Sequence, residues 1–578
     1  MSALVAHPAA ARPFHPEDVI DLTMDEDEKK EEEEPLVIDL VGDDAAEEAD
    51  AREEEDRAAF AADPVGTVAR RSRMPLTELQ VGAVRQLQGR HGLMLAWSTG
   101  KGKTLAAVLA CEVERQRAPD LHVMVIAPLS LHDNFQRNLD RFGVDPEGQR
   151  HYTYHTYEGF YNAWVLDPAI ADGAFLVLDE AHHARTEIIP ATRIKVKQRV
   201  KKIQKLPERE RRACDLNLVR RAKELVAYLS STSRASADEH HDVLGYCRTR
   251  FAVDLGAMGL VPRSMAVVEA ARAARRVLLM SATPCFNTPE DMTNYYCMLT
   301  GEPAMGRFRA RELAGNPDRA RAAYGAYFSH ASVAYGDPAF ARVSHTVVRV
   351  PMTDEYYRKY HAIEEKAFAD PWAEPWTFLA GVRTAADGLD GNSKAEAILE
   401  RVIANPVPTI IYSTFITHGV KRLQALVRAA GIRYETITGE EKADDRAAAI
   451  VEFNAGRVRV LFISDAGSEG VDPKGVRAMH LYETSWNQSR RDQVRAQSRV
   501  KRDRSRNRDQ TIGRGPRYMS HSHLPEAERT VDVYEYILIK PEVRMAGDHF
   551  PQSSDEMLHA KTLEKDRVIK AFMRRFCM

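Results

Sequence analysis

The stretch Trp97-Ser98-Thr99-Gly100-Lys101-Gly102-Lys103-Thr104, preceded by the apolar run Leu93-Met94-Leu95-Ala96, constrains this chain more than any other. An apolar strand that breaks into a Gly-bearing loop and then opens a helix, here Leu105-Ala106-Ala107-Val108-Leu109, points to an α/β unit built to hold phosphate. Backbone N–H groups of the loop and of the helix N-terminus converge on the anion. Lys103 supplies a point charge and Thr104 a hydroxyl for Mg²⁺. The general pattern opens with Gly where this chain has Trp97, and Trp97 is counted with Ser98 to Thr104 as the nucleotide-binding segment.

The rest of the chain repeats the alternation that this loop demands. Val123 to Ile126, Phe175 to Leu178 and Val277 to Met280 are continuous apolar runs, as in a parallel sheet covered on both faces. A second series follows at Thr409 to Tyr412, Val458 to Ile463, Ala478 to Leu481 and Val531 to Ile537. The expected fold is α/β: two tandem lobes with parallel sheets, plus a disordered acidic N-terminal tail. The expected boundaries are a tail at 1–73, a first lobe at 74–305 carrying a basic insertion at 185–250, and a linker or helical region at 306–395. A second lobe at 396–545 and a C-terminal helix at 546–578, amphipathic from Glu556 to Phe576, complete the chain.

Charge divides the same way. Residues 1–60 hold 21 Asp/Glu against 5 Lys/Arg, so the remainder carries a net positive charge although the whole chain is at −3. A basic body suggests a polyanion partner, and an acidic tail either competes for the same surface or simply solubilises the chain. Within the insertion, Arg185 to Lys223 holds 14 Lys/Arg and 4 Asp/Glu; it reads as a solvated helical face or a nucleic-acid contact. Two apolar islands in the acid, Val19 to Thr23 and Leu36 to Val41, could each add as a strand to a partner's sheet edge. They resemble SUMO-interacting motifs at 19–22 and 36–41. The six scattered cysteines form no C-x2-C pair, which speaks for a reducing compartment. No run is apolar and long enough for a membrane span.

Acidic residues sit where a phosphate loop needs them. Asp179 and Glu180 of Asp179-Glu180-Ala181-His182 follow a buried strand; Asp179 suits Mg²⁺, and Glu180 suits the water that attacks a γ-phosphorus. After the strand Val277 to Met280, Ser281 and Thr283 of Ser281-Ala282-Thr283-Pro284 can hydrogen-bond the acidic motif and couple it, with His182, to a neighbouring lobe. Gln80 is placed to read an adenine edge with its amide.

Taken in order, Gln80, the Lys103 loop, Ala127-Pro128-Leu129-Ser130-Leu131, the Asp179 motif and Ser281-Ala282-Thr283-Pro284 resemble a superfamily 2 helicase/translocase with two RecA-like lobes. Ile410-Ile411-Tyr412-Ser413 looks like the family's fourth motif, and Ile463 to Asp472 like its fifth. The narrower resemblance is to helicase-like ATPases of large cytoplasmic DNA viruses, relatives of poxvirus nucleoside triphosphate phosphohydrolase I and of the early transcription factor small subunit. It rests on Ser468-Glu469-Gly470, Tyr482 to Asn487 and Arg517 to Pro525. Cellular SNF2-like translocases share Leu129-Ser130-Leu131 and Thr283-Pro284 followed by Asn287.

The resemblance implies ATP and Mg²⁺ as cofactors, Gly470 and Asp472 at the nucleotide, and Ser130, Ser413 and Ser468 at nucleic acid. It implies Lys103, Glu180, Arg499 and Arg502 as catalytic residues. The family's sixth motif usually reads Q-x-x-G-R-x-x-R. Here Ser498-Arg499-Val500-Lys501-Arg502 keeps the two arginines three apart but lacks the Gly. The implied function is an ATP-dependent DNA helicase or translocase in viral transcription or DNA processing, with RNA polymerase or other transcription machinery as partner. Its implied location is intracellular: nucleus, cytoplasmic virus factory or virion. The alternatives are a catalytically weak interaction protein that binds nucleotide or nucleic acid, and a duplex translocase that does not unwind.

Overall fold

Strand Gly92–Trp97 (β1), which leads into the phosphate loop, is fully buried along its length and pairs in parallel on both sides. Its sheet continues with Val123–Ile126 (β2), Tyr152–His155 (β3), Phe175–Asp179 (β4), Arg276–Met280 (β5) and Phe328–Ala331 (β6), in the order β3-β2-β4-β5-β1-β6. Alternate side chains enter opposite cores: Met94, Leu176 and Leu178 on one face, Leu93, Leu95 and Val177 on the other. Helix Lys103–Arg117 covers the second face through Ala106, Ala107 and Leu109, and Arg263–Ala273 covers the first through Met265, Val267 and Val268.

The second lobe repeats the plan with Arg342–Pro351 (β7), Thr409–Tyr412 (β8), Tyr434–Ile437 (β9), Val460–Ile463 (β10), Ala478–Leu481 (β11) and Thr530–Ile539 (β12). All pairs are parallel, in the order β7-β12-β11-β8-β10-β9. Two tandem RecA-like lobes are therefore what the chain builds. This computed structural model describes residues 54–185, 188–232, 243–285, 288–302, 307–331, 341–368, 382–464, 473–484, 521, 524–548 and 550–577. The SUMO-like islands at 19–22 and 36–41 lie outside the described residues.

Two segments differ from the sequence reading. Residues 64–71, counted there with the disordered tail, form a helix capped by Asp63, which accepts from Gly66 N at 3.0 Å. Val65 and Val68 share one face and bury it in the first lobe's core, so local apolar spacing outweighs the acidic composition before it. The region 306–395, read as linker or helices, supplies a strand to each sheet, β6 to the first and β7 to the second.

The helix Ser554–Phe576 touches both lobes. Its start is fixed on the second: Ser553 Oγ donates to Leu538 O (2.5 Å), Tyr360 accepts from Ser554 N (2.7 Å), and Asp555 accepts from Leu538 N (3.0 Å). Asp555 also pairs with Lys394 (2.9 Å), which pairs in turn with Asp387 (2.9 Å), all with side chains essentially fully buried. Its far end carries Phe572, Met573 and Phe576 into the first lobe's core, where Phe576 meets Tyr324 and Phe328 at ring separations of 5.2 and 5.0 Å. Lys394→Met would leave two carboxylates buried without their cation, a loss of about 3–5 kcal/mol. Chemical denaturation should show that shift in the second lobe's transition, whereas Leu563→Ala, at an exposed position of the same helix, should barely move it.

Candidate functional site

Parallel pairing brings the predicted residues to one sheet edge. Asp179 is in register with Met280, and Met280 with Leu95, so β4, β5 and β1 end side by side. Asp179 and the loop after Trp97 stand two strands apart, roughly 10 Å, with Ser281 between them. That edge is where ligands of open parallel sheets bind.

The loop has the features of an anion cradle. Helix Lys103–Arg117 starts at Gly102, whose φ of +76° is left-handed and which, lacking a side chain, offers no cap to the helix's first N–H groups. A Cβ on Gly102 would come within 2.3 Å of Gln80 Nε2. The hydroxyl of Thr99 is buried with no hydrogen-bond partner among the described residues. Lys103 Nζ lies back across the loop, 2.9 Å from Trp97 O. Gly100 is also left-handed, at φ +83°, the kind of backbone turn that builds anion-binding concavities. A triphosphate fits this donor set, with Thr104 and Asp179 as oxygen donors for an accompanying Mg²⁺.

Two residues assigned to nucleotide by sequence have other engagements. Trp97 is fully buried, and its indole N–H donates to Ser329 Oγ on β6 at 3.0 Å, so the side chain fastens the sheet and only its carbonyl faces the loop. Gln80 is also buried. Its Oε1 accepts from Thr77 N (2.8 Å) in a capping box, and its Nε2 donates to Gly102 O (3.1 Å). Gln80 thus ties the preceding helix to the phosphate loop with both ends of its amide.

On β4 the geometry is strained. Glu180 adopts φ +51°, one of two described non-glycine residues at positive φ. Its N–H donates to Asp179 Oδ1 (2.9 Å), and its carboxylate lies 3.3 Å from His182 Nδ1. His182 is 3.5 Å from Ser281 Oγ, which also accepts from Thr283 N (3.1 Å). The acid, the histidine and the third motif therefore form one buried chain. The sequence reading missed Tyr157, whose hydroxyl donates to Asp179 O (2.9 Å), and Asn294, which donates to Ala184 O (2.6 Å). No spacing signal marks either, because both reach the motif only through tertiary packing.

The other assignments divide. Ser130 is exposed beyond β2, open to a ligand. Ser413 is buried, donating to Glu483 Oε1 (2.5 Å), while Glu483 Oε2 accepts from Thr414 N (3.0 Å). Its hydroxyl faces the lobe interior because Glu483, at the end of β11, requires partners in the core. Burial, reinforced by Asp387, pushes the Glu483 carboxyl up to about 8, against the opposing pull of the Ser413 hydrogen bond, Lys394 and Arg383. Ser468, Gly470, Asp472, Arg499 and Arg502 lie outside the described residues.

Comparison with known proteins adds the family. Residues 393–518 match the helicase conserved C-terminal domain. A protein of Acanthamoeba polyphaga mimivirus, provisionally named an ATP-dependent RNA helicase, is 23% identical over 463 residues, 79% of this chain and 87% of that protein. Residues 393–518 thus form a helicase C-terminal domain, and the chain is similar to viral superfamily 2 helicases. Termination factor NPH-I homologues of African swine fever virus are 32% identical over 119 residues, 20% of this chain and 14% of theirs. A solved Sulfolobus solfataricus SWI2/SNF2 ATPase core in complex with dsDNA aligns over 81% of this chain and 89% of that core, at 13% identity and a TM-score of 0.29. The helicase domain implies ATP use and nucleic-acid binding.

Two measurements test this geometry. Gly102→Ala places a Cβ in the left-handed region, about 1–2 kcal/mol, and against Gln80. Labelled-ATP affinity should fall by roughly tenfold, and adding Gln80→Ala should recover the steric part alone. For Glu483, the folded-state pKa lies above the unfolded one, so its carboxyl's stability term is full below about pH 4.5 and is lost as pH rises to about 8. Melting temperatures of Glu483→Gln and the parent should diverge across that window in favour of Gln. Parallel curves would assign the titration elsewhere.

Proposed function

We propose that this chain hydrolyses ATP to move along DNA, within the transcription or DNA processing of a large DNA virus, inside the infected cell. The observation that carries the ATPase half is the meeting of an uncapped, Gly-opened helix start, an acidic pair and Ser281 on three adjoining strand ends. In this reading, loop amides and Lys103 hold the β- and γ-phosphates of the substrate, and the Glu180 carboxylate orients the attacking water. His182 holds that carboxylate in place and links it to Ser281. Mg²⁺, held by Thr104 and Asp179, would supply charge neutralisation at the phosphates. Arg499 and Arg502 from the second lobe would complete the site, and closure of the lobes would step the chain along a phosphate backbone.

The DNA track and the transcription role extend beyond what the helicase domain implies. Support for transcription comes from the termination-factor relatives; the mimivirus relative's name instead points to RNA. Phosphate release on matched single- and double-stranded DNA and RNA separates these. DNA-stimulated turnover is expected, and stimulation by RNA alone would overturn the DNA assignment. Lys103→Ala and Glu180→Gln should each lower stimulated turnover by at least about 10²-fold. Glu180→Gly should do the same while raising the melting temperature, since Gly adopts φ +51° without strain.

A further inference from the structure

Between β4 and the helix Arg263–Ala273 the chain rises into a helical pair, Ile188–Gln204 and Ala213–Thr232. Val196 and Ile203 on one helix, and Leu218, Leu225 and Leu229 on the other, are buried in the first lobe's core cluster. That anchoring fixes which face looks outward. The outward face carries Lys197, Lys201 and Lys202, with Lys205 just past the helix end, all exposed.

The acids of the pair are already committed. Asp215 takes Arg199 (2.8 Å) and Arg212 (3.2 Å), and Glu224 takes Arg221 (3.3 Å). Lys195 is turned inward, donating to Val261 O at 2.7 Å. Lys197, Lys201, Lys202 and Lys205 have no ion-pair partner among the described residues. Lys197, Lys201 and Lys205 follow one another at intervals of four, so like charges stack and repel. The helix dipole accounts for Lys201 and Lys202 in the last turn, but not for Lys197 above them. An ordinary solvated face mixes both signs; this one is of a single sign.

We infer that this face is a second nucleic-acid contact, outside the cleft, that grips the phosphodiester backbone. The inference rests on the reading of the chain as a nucleic-acid motor. From Lys197 to Lys205 is about 12 Å of helix rise, the length of roughly three phosphates on one strand. The grip reads charge and not bases, since lysine offers a point charge without a bidentate fork. It is also attached to the acidic motif: the first helix follows Ala184 closely, and Arg185 Nη1 donates to His182 O at 2.6 Å.

The test compares the full chain with Lys197→Glu/Lys201→Glu/Lys205→Glu and with the triple Gln variant, whose neutral side chains keep the helix intact. Binding of labelled duplex and single-stranded DNA is titrated at salt from about 50 to 200 mM. The proposal expects weaker binding in both variants and a slope of log K against log salt that is shallower by about two to three. Parental affinity and slope in both variants would overturn it while leaving the motor reading intact. If the parent binds no nucleic acid, both fail together. If the variants lose only binding to polyglutamate, the face belongs to an acidic protein and the proposal is wrong.

Discussion

Everything at the candidate site depends on one alignment, the parallel register that runs from β4 through β5 to β1. Parallel strands all end on the same side, so three separate stretches of sequence deliver their loops to one place without any of them having to bend back. The cost is burial on both faces, which the chain meets with Leu93, Met94 and Leu95 in β1 and Leu176, Val177 and Leu178 in β4. Trp97 closes the arrangement from the side, locking β6 against β1 through Ser329. A residue that looked out of place in a phosphate loop is the peg that holds the loop's strand in its sheet.

The local rules are broken where chemistry is expected. A helix start without a side-chain cap at Gly102, a buried hydroxyl without a partner at Thr99 and a left-handed glutamate at Glu180 all lie on this one edge. Each would be a defect in a purely structural element. Together they fit the donors and the acid of the proposed ATP site, held by a surrounding sheet that supplies the rigidity such strain requires.

The sequence revealed the centre of each sheet and hid its borders. The strands it missed, β3, β6, β7 and β9, are the four edge strands of the two sheets. An edge strand has a neighbour on one side only, and Tyr152–His155 and Tyr434–Ile437 are mostly half-buried, so neither shows the unbroken apolar run that marks β4 or β10. The Lys103 loop and the Asp179 motif could be placed at strand ends because the apolar runs that precede them are local. At Gln80 the pattern Thr77-Glu78-Leu79-Gln80 already encodes the capping box with Thr77, whereas its bond to Gly102 and the bond from Ser413 to Glu483 join residues distant in sequence, which no local motif encodes.

The helix Ser554–Phe576 has a further meaning for movement. Its 23 residues make a rod of about 34 Å with one end pinned by Asp555 and Lys394 and the other sunk among Tyr324 and Phe328. Two bodies joined by such a rod cannot drift freely apart while both ends hold. What is left to them is swing and twist, as with the two legs of a compass. An opening and closing cleft would then follow a repeatable arc, with a stroke set by the length of the last helix in the chain.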